Sequence, residues 1–164
     1  MAKDKITRGN ASQFYVAGEL CRRGYSAVVT LGNTPNTDIL CSNIDGTKFV
    51  HIQVKTFLPG NKTCTVGKKA EKYFGDNFFW ILAGIPEPKS KSDFEYYIIP
   101  SEEMAKYITQ NHQAWLETPG KKGQQHNDNA IRIVPLKQTP SSDEKWDVSF
   151  YLERWDLIEN KLQS

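Results

Sequence analysis

The sequence predicts a single α/β domain in which helices pack against the faces of a central mixed β-sheet. Three observations predict this class. A helical pattern opens the chain, three strand patterns follow it closely, and strand and helix patterns then alternate to the end. The chain of 164 residues fits one domain over residues 1–164. A domain of this size buries roughly 70% of the surface that its unfolded chain exposes, so we expect no disulfide or metal to be needed for folding.

The first predicted helix covers residues 10–23. Asn10 is its expected N-cap, because Gln13 stands at the spacing of a capping box. Gly24 is its expected terminator. Alternating apolar and polar residues then predict three strands, over residues 25–31, 37–42 and 48–56.

The turn signal Asp45-Gly46 predicts that the second and third strands form an antiparallel hairpin. Residues 78–85 are continuously apolar, which indicates a strand covered on both faces. Another strand should end near Pro100, and Ser101 is expected to cap a helix reaching about Asn111. The remaining segments are predicted as a loop over 117–129, a short strand over 131–136, and a closing strand and helix over 146–162.

Charge and cysteine content exclude several classes of protein. A net charge of +2, from 21 basic and 19 acidic residues, is too small to indicate a polyanion-binding protein by itself. The three cysteines are far apart and lack zinc-ligand spacing, so we expect reduced thiols. No apolar run approaches the roughly 18 residues of a membrane span, and the N-terminus lacks the apolar core of a signal peptide. We therefore expect a soluble cytoplasmic protein that has no membrane partner.

Candidate chemistry lies on the predicted hairpin. Asp38 is the only ionisable residue of the second strand, and a carboxylate entering an apolar strand needs a cation nearby, either Lys55 or a metal. Gln53 and Lys55 share the polar face of the third strand, where they could also simply face solvent. Glu19, on the first helix, could take part or could pair with Arg23 at i,i+4.

This arrangement resembles the PD-(D/E)xK nuclease superfamily. Asp38 is followed after fourteen residues by Gln53-Val54-Lys55, on two hairpin strands that come after a helix bearing Glu19. The resemblance covers about residues 8–100, in a D…QxK variant: Gln53 stands where an acid is commonest, and Thr37 stands where proline often precedes the aspartate. It implies a restriction-endonuclease-like fold, a central mixed sheet flanked by helices. It also implies Mg²⁺-dependent endonuclease activity on phosphodiester bonds.

The resemblance also implies a role for each residue of the motif. Asp38 would be the central Mg²⁺ ligand, with the Gln53 amide oxygen and the Val54 carbonyl beside it and Glu19 as an outer ligand through water. Mn²⁺ should substitute for Mg²⁺. Lys55 would be the catalytic lysine that supports charge on the phosphate.

The implied partner is nucleic acid, with DNA expected. Lysines outside the motif are candidates for phosphate contacts that position a duplex without reading its sequence: Lys62, Lys68, Lys69, Lys121 and Lys122. A homodimer is expected by analogy with enzymes that cut both strands. Two alternatives stay open: a catalytically weak or inactive nucleic-acid-binding module of the same fold, and a protein-interaction domain. The substrate also stays open among duplex, branched and single-stranded DNA and RNA.

Overall fold

The structure, a computed structural model, describes residues 2–32, 34–137 and 146–163. Its described part contains seven strands: β1 Ser26–Val29, β2 Ile39–Ser42, β3 Phe49–Phe57, β4 Thr63–Gly67, β5 Phe78–Gly84, β6 Glu95–Pro100 and β7 Ile131–Pro135. Five of them form one sheet in the order β1-β2-β3-β5-β6. Because β3 and β5 run parallel and the other neighbours antiparallel, the predicted mixed sheet is confirmed.

Helices cover both faces of this sheet. In the part of the chain that the structure describes, the α-helices are α1 Ala2–Arg22, α2 Ser101–Glu117 and α3 Asp156–Gln163. On one face, Leu20 of α1 and Ile158 of α3 pack against Ile52 of β3. On the other face, Met104 of α2 packs in a second apolar cluster with Trp80 of β5. The predicted arrangement of a sheet flanked by helices is therefore confirmed.

Strand β3 lies at the centre of the sheet, and its alternation decides which side chains can form a site. Val50, Ile52 and Val54 are buried against α1 and α3. Since neighbouring side chains of a strand point to opposite faces, Gln53 and Lys55 point to the face that α2 covers. Both are partly exposed.

Helix α1 is longer than the sequence pattern predicts. It begins at Ala2, so Asn10 lies inside the helix and its prediction as N-cap is wrong. Asn10 is exposed, and one polar residue there costs only a few tenths of a kcal/mol in helix propensity. The predicted terminator is confirmed, because Gly24 has φ +92° and donates its N–H to the Cys21 carbonyl.

Two predictions for the C-terminal half are wrong. Ser101 does not cap α2: Pro100 is the N-cap residue, and the buried Ser101 hydroxyl accepts the N–H of Phe74 at 2.9 Å. The helix also continues to Glu117. In place of the predicted closing strand, Val148–Tyr151 forms a short 3₁₀ turn.

Strand β4 lies between the predicted strands 48–56 and 78–85, where the sequence pattern predicts no strand. It pairs antiparallel with β7 to form a two-stranded ribbon, which is separate from the main sheet and packs on its α2 side. All three cysteines are free thiols. Of the helices in the described part of the chain, none is long and apolar enough to cross a membrane.

Candidate active site

The backbone of Asp38 is held just before β2 by strands on both sides. Its N–H donates to the Ile52 carbonyl of β3 at 2.9 Å, and its carbonyl accepts the N–H of Thr30 at 2.9 Å. These two bonds fix the direction from which the side chain leaves the sheet. The position of the carboxylate is therefore set by backbone hydrogen bonds to the neighbouring chain segments.

The Asp38 carboxylate lies against β3 and is partly buried. Its Oδ2 accepts the Val54 N–H at 2.8 Å and a second hydrogen bond from the Gln53 side-chain amide. Burial raises the pKa of Asp38, while the Val54 N–H and the charge of Lys55 act in the opposite direction. The structure thus brings Asp38, Gln53, Val54 and Lys55 together.

The Val54 carbonyl is available to the same group. In a strand, the N–H and C=O of one residue point towards the same neighbour. The Val54 N–H points to Asp38, so its carbonyl oxygen also points to that side. Strand β2 does not extend alongside Val54, because its first residue, Ile39, pairs with Ile52. Carboxylate, carbonyl and side-chain amide oxygens can therefore converge beside β3.

This donor set fits a hard cation with few protein ligands. Among the residues that the structure describes, no three His, Cys, Asp or Glu side chains are grouped to hold a metal, and Asp38 is the one carboxylate of the group. A half-turn of the Gln53 amide would present its oxygen in place of its NH₂. Asn36, two residues before Asp38, has a buried Oδ1 without a hydrogen-bond partner within the described part. Such oxygen donors suit Mg²⁺, which keeps several waters.

Glu19 is not brought to this group. Its carboxylate binds Arg22 at 2.7 Å and Arg23 at 2.8 Å. The hydrogen bond from Arg22 lowers the pKa of Glu19. Partial burial acts in the opposite direction, and the hydrogen bond from Arg23 lowers the pKa further. Arg23 in turn binds Glu159 of α3 at 3.0 Å and lies over the ring of Trp155. Glu19 thus belongs to an ion-pair network between α1 and α3, which includes the Arg23 pair that the sequence left open.

Helix α1 contributes other residues near the end of β3. The buried Ser12 hydroxyl and the Thr56 hydroxyl are hydrogen-bonded at 2.7 Å. Lys5 and Arg8, on the same stripe of α1, line a cavity of about 330 Å³ that also touches Thr56 and residues of β4. Sequence reasoning missed both cations because it began the helix at Asn10. Their i and i+3 spacing, with Ser12 four residues further on, was the signal for a longer helix.

The predicted phosphate-contact lysines fall into two places. Lys62 directly precedes β4, and Lys68 and Lys69 directly follow it. Lys121 and Lys122 lie in the exposed loop between α2 and β7. All five are exposed, and Lys68 forms a 3.3 Å ion pair with Asp128. The first group therefore frames the β4–β7 ribbon, beside the candidate site.

No protein-family model matches the sequence, and no curated protein matches it. Among solved structures, the chain is similar to one described as a bacterial homing endonuclease, I-Ssp6803I, with a TM-score of 0.57. The similarity covers 94% of this chain and 93% of the other, at 18% sequence identity. At such low identity the likeness concerns the fold. The chain therefore has a fold that a nuclease also uses.

Proposed function

We propose that this protein is a metal-dependent endonuclease that hydrolyses phosphodiester bonds in DNA. One observation carries the proposal: Asp38, Gln53, the Val54 carbonyl and Lys55 converge where β2 ends beside β3. The fold similarity to a homing endonuclease supports it. The D…QxK form of the PD-(D/E)xK motif is part of the same proposal.

Asp38, the Gln53 amide oxygen and the Val54 carbonyl would hold Mg²⁺, with Mn²⁺ as a substitute. A bound Mg²⁺ supplies an activated water and neutralises charge on the phosphate. Asp38 must be ionised to bind it. Burial opposes that ionisation, whereas the Val54 N–H and Lys55 favour it. Gln53 adds no charge, so one acid carries the electrostatic attraction for the ion.

Lys55 would contact the scissile phosphate. It extends from the same face of β3 as Gln53, and its charge reaches both Asp38 and the Cys64 thiol of β4. Its ammonium would orient the anion and support the negative charge that develops during hydrolysis. We leave Glu19 out of the metal group, because Arg22 and Arg23 already bind its carboxylate.

The basic residues around the site would bind the DNA backbone. Lys5 and Arg8 line the cavity at the end of β3, and Lys62, Lys68 and Lys69 frame the adjacent ribbon. Each neutralised phosphate releases counterions, so the logarithm of the binding constant should fall linearly with the logarithm of salt concentration. We propose a homodimer for cutting both strands, by analogy only, and sedimentation velocity tests it.

A second candidate function is DNA binding without turnover. The neutral Gln53 favours it, because the site lacks a second acid. Plasmid cleavage in Mg²⁺ and in Mn²⁺, together with calorimetric metal titration, separates the two. If the protein is an enzyme, Lys55→Ala and Asp38→Ala should abolish cleavage, and Asp38→Ala should also abolish metal binding. Lys161→Ala, on α3 across the sheet, is the matched control and should cut as wild type does. Duplex binding without cleavage in either metal would establish the binding module.

A further inference from the structure

The β4–β7 ribbon has an outward face that is uncharged and partly apolar. Thr63 and Thr65 of β4 are exposed, while the intervening Cys64 is buried. On β7, Ile131 and Ile133 are 55% and 48% exposed. Ile131 and Ile133 project from the same face of β7, because they are two residues apart, and they add exposed apolar area to this surface.

The β4 side of this outward face borders the cavity at the end of β3. Lys55 lies close enough to Cys64 to act on the pKa of its thiol. Thr63 and Thr65 line the same cavity as Thr56 and the α1 cations. A molecule in this cavity would therefore lie along β4 and beside Thr56, the residue that follows Lys55 in β3.

Cations stand at both ends of the ribbon and are absent from the described residues of its outward face. Lys62 and Lys137 lie at one end, where the Lys62 carbonyl accepts the Leu136 N–H, and Lys68 and Lys69 lie at the other. The two nearby acids are offset by Lys68, which binds Asp128 at 3.3 Å, and by the buried Arg132. Its guanidinium binds Glu71 at 2.5 Å and Asp128 at 3.2 Å. The surface is therefore neutral in the middle and positive at its ends, which complements a duplex whose bases lie between two phosphate backbones.

The size of the β4–β7 ribbon also suits the major groove of duplex DNA. Five residues per strand span about 17 Å, and the major groove, about 12 Å wide, admits a two-stranded ribbon. A threonine hydroxyl hydrogen-bonds base edges, and threonine and isoleucine methyl groups contact the thymine methyl. Lysines at the ends would reach the flanking phosphates.

We propose that the β4–β7 ribbon enters the major groove of duplex DNA beside the cleavage site, and that Thr63, Thr65, Ile131 and Ile133 contact base edges there. The protein then cuts at preferred sequences, with the preference set by the ribbon. This inference rests on the proposed function and adds a substrate class to it, duplex DNA read in the major groove.

The test compares sequence preference between variants. A randomised duplex library is cut by the full-length protein in Mg²⁺ and in Mn²⁺, and the ends are sequenced. In parallel, Asp38→Asn protein selects bound duplexes from the same library, so that preference is read without cleavage. Thr65→Val removes one hydroxyl at constant shape, and Ile133→Thr removes apolar contact. Ile44→Thr is the matched control, because Ile44 is 76% exposed in the β2–β3 turn, away from the ribbon.

We expect Thr65→Val and Ile133→Thr each to change preference about tenfold at one or two adjacent base pairs, and Ile44→Thr to change none. All three sites are exposed, so thermal unfolding should stay near wild type; a ribbon variant that unfolds is replaced by Thr63→Ser. Wild-type cleavage with no base preference, or ribbon variants that keep the wild-type preference, would overturn this inference and leave the nuclease proposal standing. A ribbon variant that changes only the oligomeric state assigns the face to a second copy and also overturns it. Wild type that cuts single-stranded or branched DNA but neither binds nor cuts duplex DNA overturns this inference alone. Wild type that neither binds nor cuts any of these DNAs overturns both proposals.

Discussion

Replacing Gln53 by glutamate should lower the stability of the fold in the absence of metal and should increase the stabilisation that added Mg²⁺ gives. In the structure the Gln53 amide donates to the Asp38 carboxylate. Gln53→Glu removes that donor and sets two carboxylates against each other. At about 3 Å and an effective dielectric constant of about 20, two such charges repel by about 5.5 kcal/mol.

The net loss should be smaller than this repulsion, because one carboxyl can take up a proton instead. We expect about 2–3 kcal/mol, which corresponds to a fall in melting temperature of about 5–10 °C for a domain of this size. Mg²⁺ should reverse the loss, because the second acid strengthens its binding. A ligand at 100 times its dissociation constant stabilises a fold by about 2.7 kcal/mol.

Thermal unfolding in EDTA and across a Mg²⁺ titration measures both effects. Gln113→Glu is the matched control, because the Gln113 amide also donates to a carboxylate, that of Glu117 at 2.7 Å, on the exposed side of α2. Its melting temperature should change little and should not respond to Mg²⁺. If Mg²⁺ raised the melting temperature of Gln53→Glu no more than that of wild type, the assignment of Gln53 to a metal site would be refuted.

Three further predictions concern catalysis, pH and the ribbon. Lys55→Ala should lower plasmid cleavage at least about 100-fold with little change in melting temperature. Burial raises the pKa of Asp38 above its ordinary value of 3.8, so protons should displace Mg²⁺ as pH falls through the raised pKa, which calorimetric titration at several pH values detects. The same raised pKa means that the folded state gains stability from this group at low pH and loses it as pH rises, so Asp38→Asn should melt higher than wild type at neutral pH without metal. Arg132→Ala should cost about 1–3 kcal/mol in urea unfolding, because Glu71 and the carbonyls of Asn129 and Ile131 lose the donors of a guanidinium that is only 2% exposed; a loss under about 0.5 kcal/mol would contradict this role.

Local pattern was enough to predict the sheet around the site. The apolar run at 78–85 becomes β5, buried along its whole length, because burial on both faces leaves no polar position. Asp45-Gly46 closes the β2–β3 hairpin, with Gly46 at φ +65°. Once that pairing forms, a period of two residues puts Gln53 and Lys55 on one face. The proximity of Asp38 to both therefore follows from short-range rules.

The missed strand β4 and the placement of Glu19 both depend on contacts with residues far away in the sequence. Thr63–Gly67 has exposed threonines and a neighbouring lysine run, so it reads as loop until β7 pairs with it from more than 60 residues away in sequence. Glu19 lies seven residues, two helical turns, after Ser12, so the two residues project from the same stripe of α1. The direction in which a residue projects from the helix therefore cannot show which of the two lies near the candidate site. Packing of α3 beside Glu19, through Trp155 and Glu159, assigns that end of the stripe to an ion-pair network.

The position of Asp38 just before the first residue of β2 also affects aggregation. Beyond Ile39, the backbone of β3 faces a side where no β2 residue remains, and an unpaired strand edge attracts strands of other chains. The Asp38 carboxylate accepts the Val54 N–H there, and so closes the edge that the missing strand would have covered. A negative charge at such an edge also discourages an incoming backbone. One side chain thus protects this edge from β-augmentation, and variants that shorten it should form oligomers through this edge sooner than variants that keep an acceptor oxygen.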